Sequence, residues 1–146
     1  MALVLKNKSL LRSQIYSAGR WLDSDSLETL DVVNPATNDV ITTVPCCGAL
    51  ETRRMIEAAA QAQLSWALAT AKHRSMVLRD WFNLIVQNKD DLAFLLTLEQ
   101  GKPLTEALAE LTYGANYIEW FSEEAKRVYG DIIPQPSEDK RLLVIK

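Results

Sequence analysis

Cys46 and Cys47, the single histidine His73, and the carboxylates Glu106, Glu110 and Glu119 are the side chains whose chemistry first invites attention. A thiol attacks as its thiolate, which needs an electropositive, partly exposed pocket. Cys46 and Cys47 instead stand in the connection between a strand and the first long helix, and are read as structural or neutral thiols. His73 lies beside Lys72 and Arg74 near a helix start. It has no neighbours with which to build a metal site, so it is read as an ordinary, partly exposed side chain. Glu106 and Glu110 are four apart and share a helix face, whereas Glu119 is nine further on; that spacing is also what a solvated face has. The glycines at 19, 48, 101, 114 and 130 never cluster into a loop that could cradle phosphate. Trp66, Trp81, Trp120 and Phe121 fall on or beside apolar stripes, so core packing is their expected use.

These residues must be carried by the elements of one domain, or of a large piece of one, because 146 residues with 48% hydrophobic content can bury a real core. The net charge of −3, with both signs interspersed, leaves no cationic stripe for nucleic acid. Neighbouring cysteines seldom pair, which fits a reducing compartment and a cytoplasmic location. No window is apolar over the length needed to cross a bilayer. Residues 1–13 are expected to be a flexible amino-terminal segment.

From Gln14 to Pro45, short extended pieces alternate with turns: Ile15 to Trp21, a polar Asp23-Ser24-Asp25-Ser26 turn, Leu30 to Val33, the Asn34-Pro35 break, and Val40 to Val44. From Leu50 the period becomes helical. A first helix is expected over Leu50 to Leu68, and a second, bearing Val77, Leu78, Trp81, Phe82, Leu84 and Ile85, ends near Asn88. Asp90 and Asp91 open a third, where their charge suits the helix dipole, and Gly101 stops it in a left-handed conformation. Lys102 sits by the outgoing carbonyls and Pro103 suits the next first turn, so two helices are fused with no slack. The fourth and longest helix carries Leu104, Leu108, Leu111, Ala115, Ile118, Ala125 and Val128, with its exit at Gly130. Beyond Asp131, Pro134 and Pro136 make a turn and Leu142 to Ile145 reads as a strand with no return partner. Such a strand leaves backbone groups unpaired, which suggests a chain cut short of its natural end.

The ordered succession Gly19-Arg20-Trp21, Val33-Asn34-Pro35-Ala36-Thr37, Leu98-Glu99-Gln100-Gly101-Lys102-Pro103, Tyr117-Ile118-Glu119-Trp120-Phe121, Lys126 to Asp131 and Lys140 to Lys146 resembles the amino-terminal part of the NAD(P)-dependent aldehyde dehydrogenases. The succinate-semialdehyde dehydrogenase branch is the nearest likeness, over about Tyr16 to Lys146. The resemblance implies an α/β, helix-rich piece of that fold, with four helices and short strands at both ends. Residues 14–130 would belong to the cofactor-binding domain and 131–146 would begin an oligomerisation arm. It implies a parent enzyme that oxidises succinate semialdehyde to succinate with NAD(P). The catalytic cysteine, the water-activating glutamate and the cofactor's phosphate turn would lie past Lys146, so the chain alone is expected to bind no cofactor and to be inactive.

Two further roles follow from the resemblance. A monovalent cation would be held by the carbonyls of Val32 and Val33 and the carboxylate of Glu99, since a hard cation wants oxygen ligands; the plainer expectation is that Glu99 caps or salt-bridges. The helix face through Glu110, Gly114 and Tyr117 would border the aldehyde tunnel, although close helix packing is the plainer account of a mid-helix glycine. Small aldehydes, and homo-oligomerisation after Asp131, are the partnerships implied. A non-catalytic helical interaction protein, or a degenerate gene remnant, is the alternative.

Overall fold

A computed structural model describes residues 4–146 of the chain. Three antiparallel hairpins are distributed around four helices. The first hairpin joins β1 (Ile15–Ser17) to β2 (Arg20–Leu22), with Tyr16 opposite Trp21. Its turn residues Ala18 and Gly19 both have positive φ, the geometry that twists a tight hairpin the right way. The second joins β3 (Thr29–Val33) to β4 (Val40–Pro45). Its ladder slips between Val32, opposite Thr42, and Val33, opposite Val40, so Ile41 is left without a register partner. Asn34 shapes the turn between them: its side chain accepts from the Ala36 amide, and its own amide donates to Asp39.

The helices are α1 (Ala49–Leu68), α2 (Ala71–Gln87), α3 (Lys89–Gln100) and α4 (Leu104–Glu124). The core lies where α2 and α3 pack on α4. Apart from Leu95 of α3, its buried apolar and hydroxyl side chains are small: Ser75 of α2, Ala93 of α3, and Ala107, Ala115 and Ser122 of α4. Small residues let helix axes approach closely, while larger ones lie at the margins. Arg79 ties α2 to α4 by donating to Glu119 at 2.6 Å and to Glu123 at 2.8 Å.

Several expectations change. Trp66, Trp81, Trp120 and Phe121 are not core residues here; they are 37%, 53%, 63% and 55% exposed, since the helices present apolar side chains on outer as well as inner faces. The fourth helix ends at Glu124, before the expected exit at Gly130. Past it, backbone bonds from Lys126 to Glu123 and from Arg127 to Glu124 tighten the chain into three-residue turns. Gly130 serves another purpose, because a Cβ there would overlap the carbonyl of Val144. That contact belongs to the third hairpin, β5 (Asp131–Ile133) with β6 (Leu142–Val144), which pairs Asp131 with Val144 and Ile133 with Leu142. The terminal strand therefore has a partner, contrary to expectation, although both strands stay exposed.

Residues 5–7 also depart from the flexible segment expected. Leu5 is buried, and the amides of Lys6 and Asn7 donate to the two oxygens of Asp91 at 3.1 and 2.7 Å. Lys6 Nζ reaches Asp90 and the Asn7 side-chain amide reaches Asn88, so the segment is fastened across the α2–α3 junction.

Candidate functional site

The thiols come first because a thiol is the strongest latent nucleophile in the chain. Cys46 and Cys47 are free and half-buried, just ahead of the α1 amino terminus. An open helix amino terminus would favour a thiolate or bind a phosphate. Here Glu51 fills that role: its carboxylate accepts from the amides of Gly48 at 2.9 Å and of Asp25 at 3.0 Å. Those bonds, with Asp25 first among them, hold the Glu51 carboxyl below its ordinary value. Burial, then the negative charge of Glu51, push the Cys47 thiol up. The site is thus closed to anions, and the thiol beside it stays protonated.

The second locus is the corner where α3 becomes α4. Gly101 has φ +76°, and a Cβ there would come within 2.9 Å of Pro35 Cγ, so the glycine ends the helix and admits the Asn34-Pro35 turn together. Beside it lies a cavity of 520 Å³ walled by Asn34, Val40, Phe94, Leu98 and Leu104, among others. Thr97 lines it too, with its buried Oγ1 lacking a hydrogen-bond partner among the described residues. Val32 and Val33 lie at the register slip of the adjoining hairpin. Glu99 is exposed and makes no ion pair among the described residues, so the expected salt bridge is not found there. Nor do the described residues hold a cluster of three or more histidine, cysteine or acidic side chains fit for a metal.

The third is the outer face of α4. Glu110 is paired with Lys102, which reaches it across the first turns of the helix. No atom lies within 4 Å of a Cβ built at Gly114, so close packing does not explain that glycine in this chain. Tyr117 meets Tyr113, hydroxyl to hydroxyl at 2.7 Å, and both line a cavity of 360 Å³ with Asn116, Trp120 and Phe121. The sequence reading missed Tyr113, Asn116, Trp120 and Phe121 as cavity residues. The four-residue spacing of the two tyrosines was the signal that could have found them. Glu119 does not join Glu110, because it is engaged by Arg79 on the side facing α2. His73 is exposed, edge-on to Trp66 with 6.3 Å between ring centroids.

Comparison with known proteins places these features in a lineage. Residues 21–146 match the aldehyde dehydrogenase family. The chain is 58% identical over 142 residues to a glutarate-semialdehyde dehydrogenase of Pseudomonas putida, covering 97% of this chain and 30% of that one. It is 53% identical over 142 residues to an NADP-dependent succinate-semialdehyde dehydrogenase of Escherichia coli, with the same 97% and 30% coverage. The crystal structure of an aldehyde dehydrogenase from Brucella melitensis biovar abortus 2308 superposes with a TM-score of 0.94 at 51% identity, over 99% of this chain and 30% of that one. The chain thus spans about 30% of the length of the curated relatives it matches. Four helices on short hairpins, fastened by the Gly101–Pro35 corner, are the amino-terminal part of that fold, and the chain belongs to the aldehyde dehydrogenase family.

Proposed function

We propose that the chain is the amino-terminal portion of an NAD(P)-dependent dehydrogenase that oxidises an acidic semialdehyde, succinate semialdehyde or its longer homologue glutarate semialdehyde, to the dicarboxylate. The observation that carries this reading is the identity of 58% and 53% to semialdehyde dehydrogenases across 97% of the chain. The chain's own part is support: α2, α3 and α4 make a rigid shell, residues 14–130 belong to the cofactor-binding domain, and residues 131–146 begin an arm that joins subunits in the cytoplasm. The exposed apolar side chains of β5 and β6 favour such an association.

Two sites within the chain go with this role. The outer face of α4 through Glu110, Gly114 and Tyr117 borders the path of the aldehyde, which the open space at Gly114 supports. Val32, Val33 and Glu99 hold a monovalent cation. The register slip at Val32 and Val33 and the Glu99 carboxylate, without an ion pair among the described residues, fit an all-oxygen donor set suited to a hard ion, which would brace the corner rather than react.

The test is an assay of the full-length protein containing this sequence. It should reduce NAD or NADP with succinate or glutarate semialdehyde, whereas the 146-residue chain should form no reduced cofactor. Turnover of neither semialdehyde by the full-length protein would overturn the reading.

A further inference from the structure

Cys46 and Cys47 are the two thiols of the chain, adjacent, free and half-buried. Their backbone is held on both sides: the Cys46 amide donates to the Glu28 carbonyl at 2.8 Å, and the Gly48 amide donates to the Glu51 carboxylate at 2.9 Å. The pair is thus presented from a fixed link between β4 and α1. The Cys47 thiol is pushed up by burial, by Glu51 and then by Cys46, which puts the two sulfurs within electrostatic reach of each other.

Such a pair is poorly made for the usual fates of thiols. Consecutive Cα atoms of a trans peptide stand about 3.8 Å apart, short of the roughly 4.4–6.8 Å that an unstrained disulfide spans. Alkylation and oxidation call for a thiolate, which burial and Glu51 oppose. A zinc-type ion wants four donors, and the neighbouring acids are engaged: Glu51 by the amides of Gly48 and Asp25, and Asp25 by Arg54 at 2.7 Å.

A trivalent arsenic centre meets these conditions. It is soft and takes sulfur, and it needs only two sulfurs besides its own organic group. Set between the two sulfurs, it also spans the spacing that disfavours a direct S–S bond. Two As–S bonds form as the arsenic–oxygen double bond and two S–H bonds break; both protons leave with the oxygen as water, and arsenic stays trivalent. No net proton is released, so protonated thiols suffice. We infer that Cys46 and Cys47 form a dithiol site for trivalent arsenicals, one arsenic bridging both sulfurs.

The probe is phenylarsine oxide, added to the folded full-length protein containing this sequence and followed by mass spectrometry of the tryptic peptide of residues 21–53, which carries both thiols. That peptide should gain the mass of one phenylarsine oxide less one water, hold it against excess glutathione, and lose it to the dithiol dimercaptopropanol. Cys46→Ser or Cys47→Ser leaves a single sulfur. The arsenical should then withstand glutathione roughly a hundredfold less well, because the gain from tethering two bonds is lost. The comparison of glutathione with the dithiol is made on the wild-type protein and does not depend on either variant folding. Labelling only after denaturation, release from the wild-type peptide by glutathione, or a single-thiol variant that holds the arsenical as firmly as wild type overturns the site.

Discussion

Asp91 does work that its neighbours in sequence do not announce. Two acids at the start of a helix read as dipole partners, and Asp90 fits that description, but Asp91 is 7% exposed and accepts amide bonds from residues more than eighty positions earlier. Replacing it with alanine removes two charge-assisted bonds and leaves two amides without partners. Asp91→Ala should therefore cost about 2 kcal/mol, read as a fall in melting temperature, with Asp91→Asn in between. At the other end of the charge scale, Cys47 is kept protonated by burial and by Glu51. Glu51→Gln should speed alkylation of Cys47 near neutral pH, followed by mass spectrometry, and an unchanged rate would show that the carboxylate does not reach it. The sequence alone reads these thiols as structural or neutral. It could not show the cause, because Glu51 acts through a fold that brings Asp25 to the same helix end.

Helices and corners were legible because their signals are local. The spans of α1 and α3 and the end of α2 lie within one residue of their expected bounds, since apolar period, Asn and Gly punctuation and first-turn acids all act over a few residues. The pairing of Leu142 with Ile133 was not legible, because it rests on a hairpin that brings Val144 to Gly130, fourteen residues away, and α4 ends at Glu124 with no glycine or proline to mark the stop. The Tyr113–Tyr117 pair and the outward tryptophans were missed for a related reason: periodicity reports a stripe but not which side is covered. Two glycines make an opposed pair of tests. Gly101→Ala puts a side chain at positive φ against Pro35 and should destabilise by about 2 kcal/mol, whereas Gly114→Ala meets open space and should stabilise by about 1 kcal/mol. Thermal unfolding of both decides. The α2–α4 seam should be acid-sensitive. Glu123 is held below its ordinary value of 4.5 by Lys126 and then Arg79, so its contribution is fully present above that pH and is lost as pH falls below it. Glu123→Gln should flatten the melting temperature across that acidic range.

At the scale of the whole chain, the core of small side chains is modest and the apolar surface is broad. Ile132, Leu143 and Ile145 are 81%, 72% and 93% exposed, and the edges of all three hairpins are open. The isolated chain should self-associate through the third hairpin, with sedimentation mass rising with concentration, and Leu143→Lys should suppress it. A monomer at every concentration would count against an arm there. The amino-terminal clasp has its own corollary for anyone cutting or extending this polypeptide. Val4 is 76% exposed while the next residue, Leu5, is 6% exposed, so the tolerance boundary falls at that one peptide bond. Trimming residues 5–7 as well would remove both amides that hold Asp91 and should lower the melting temperature as Asp91→Ala does.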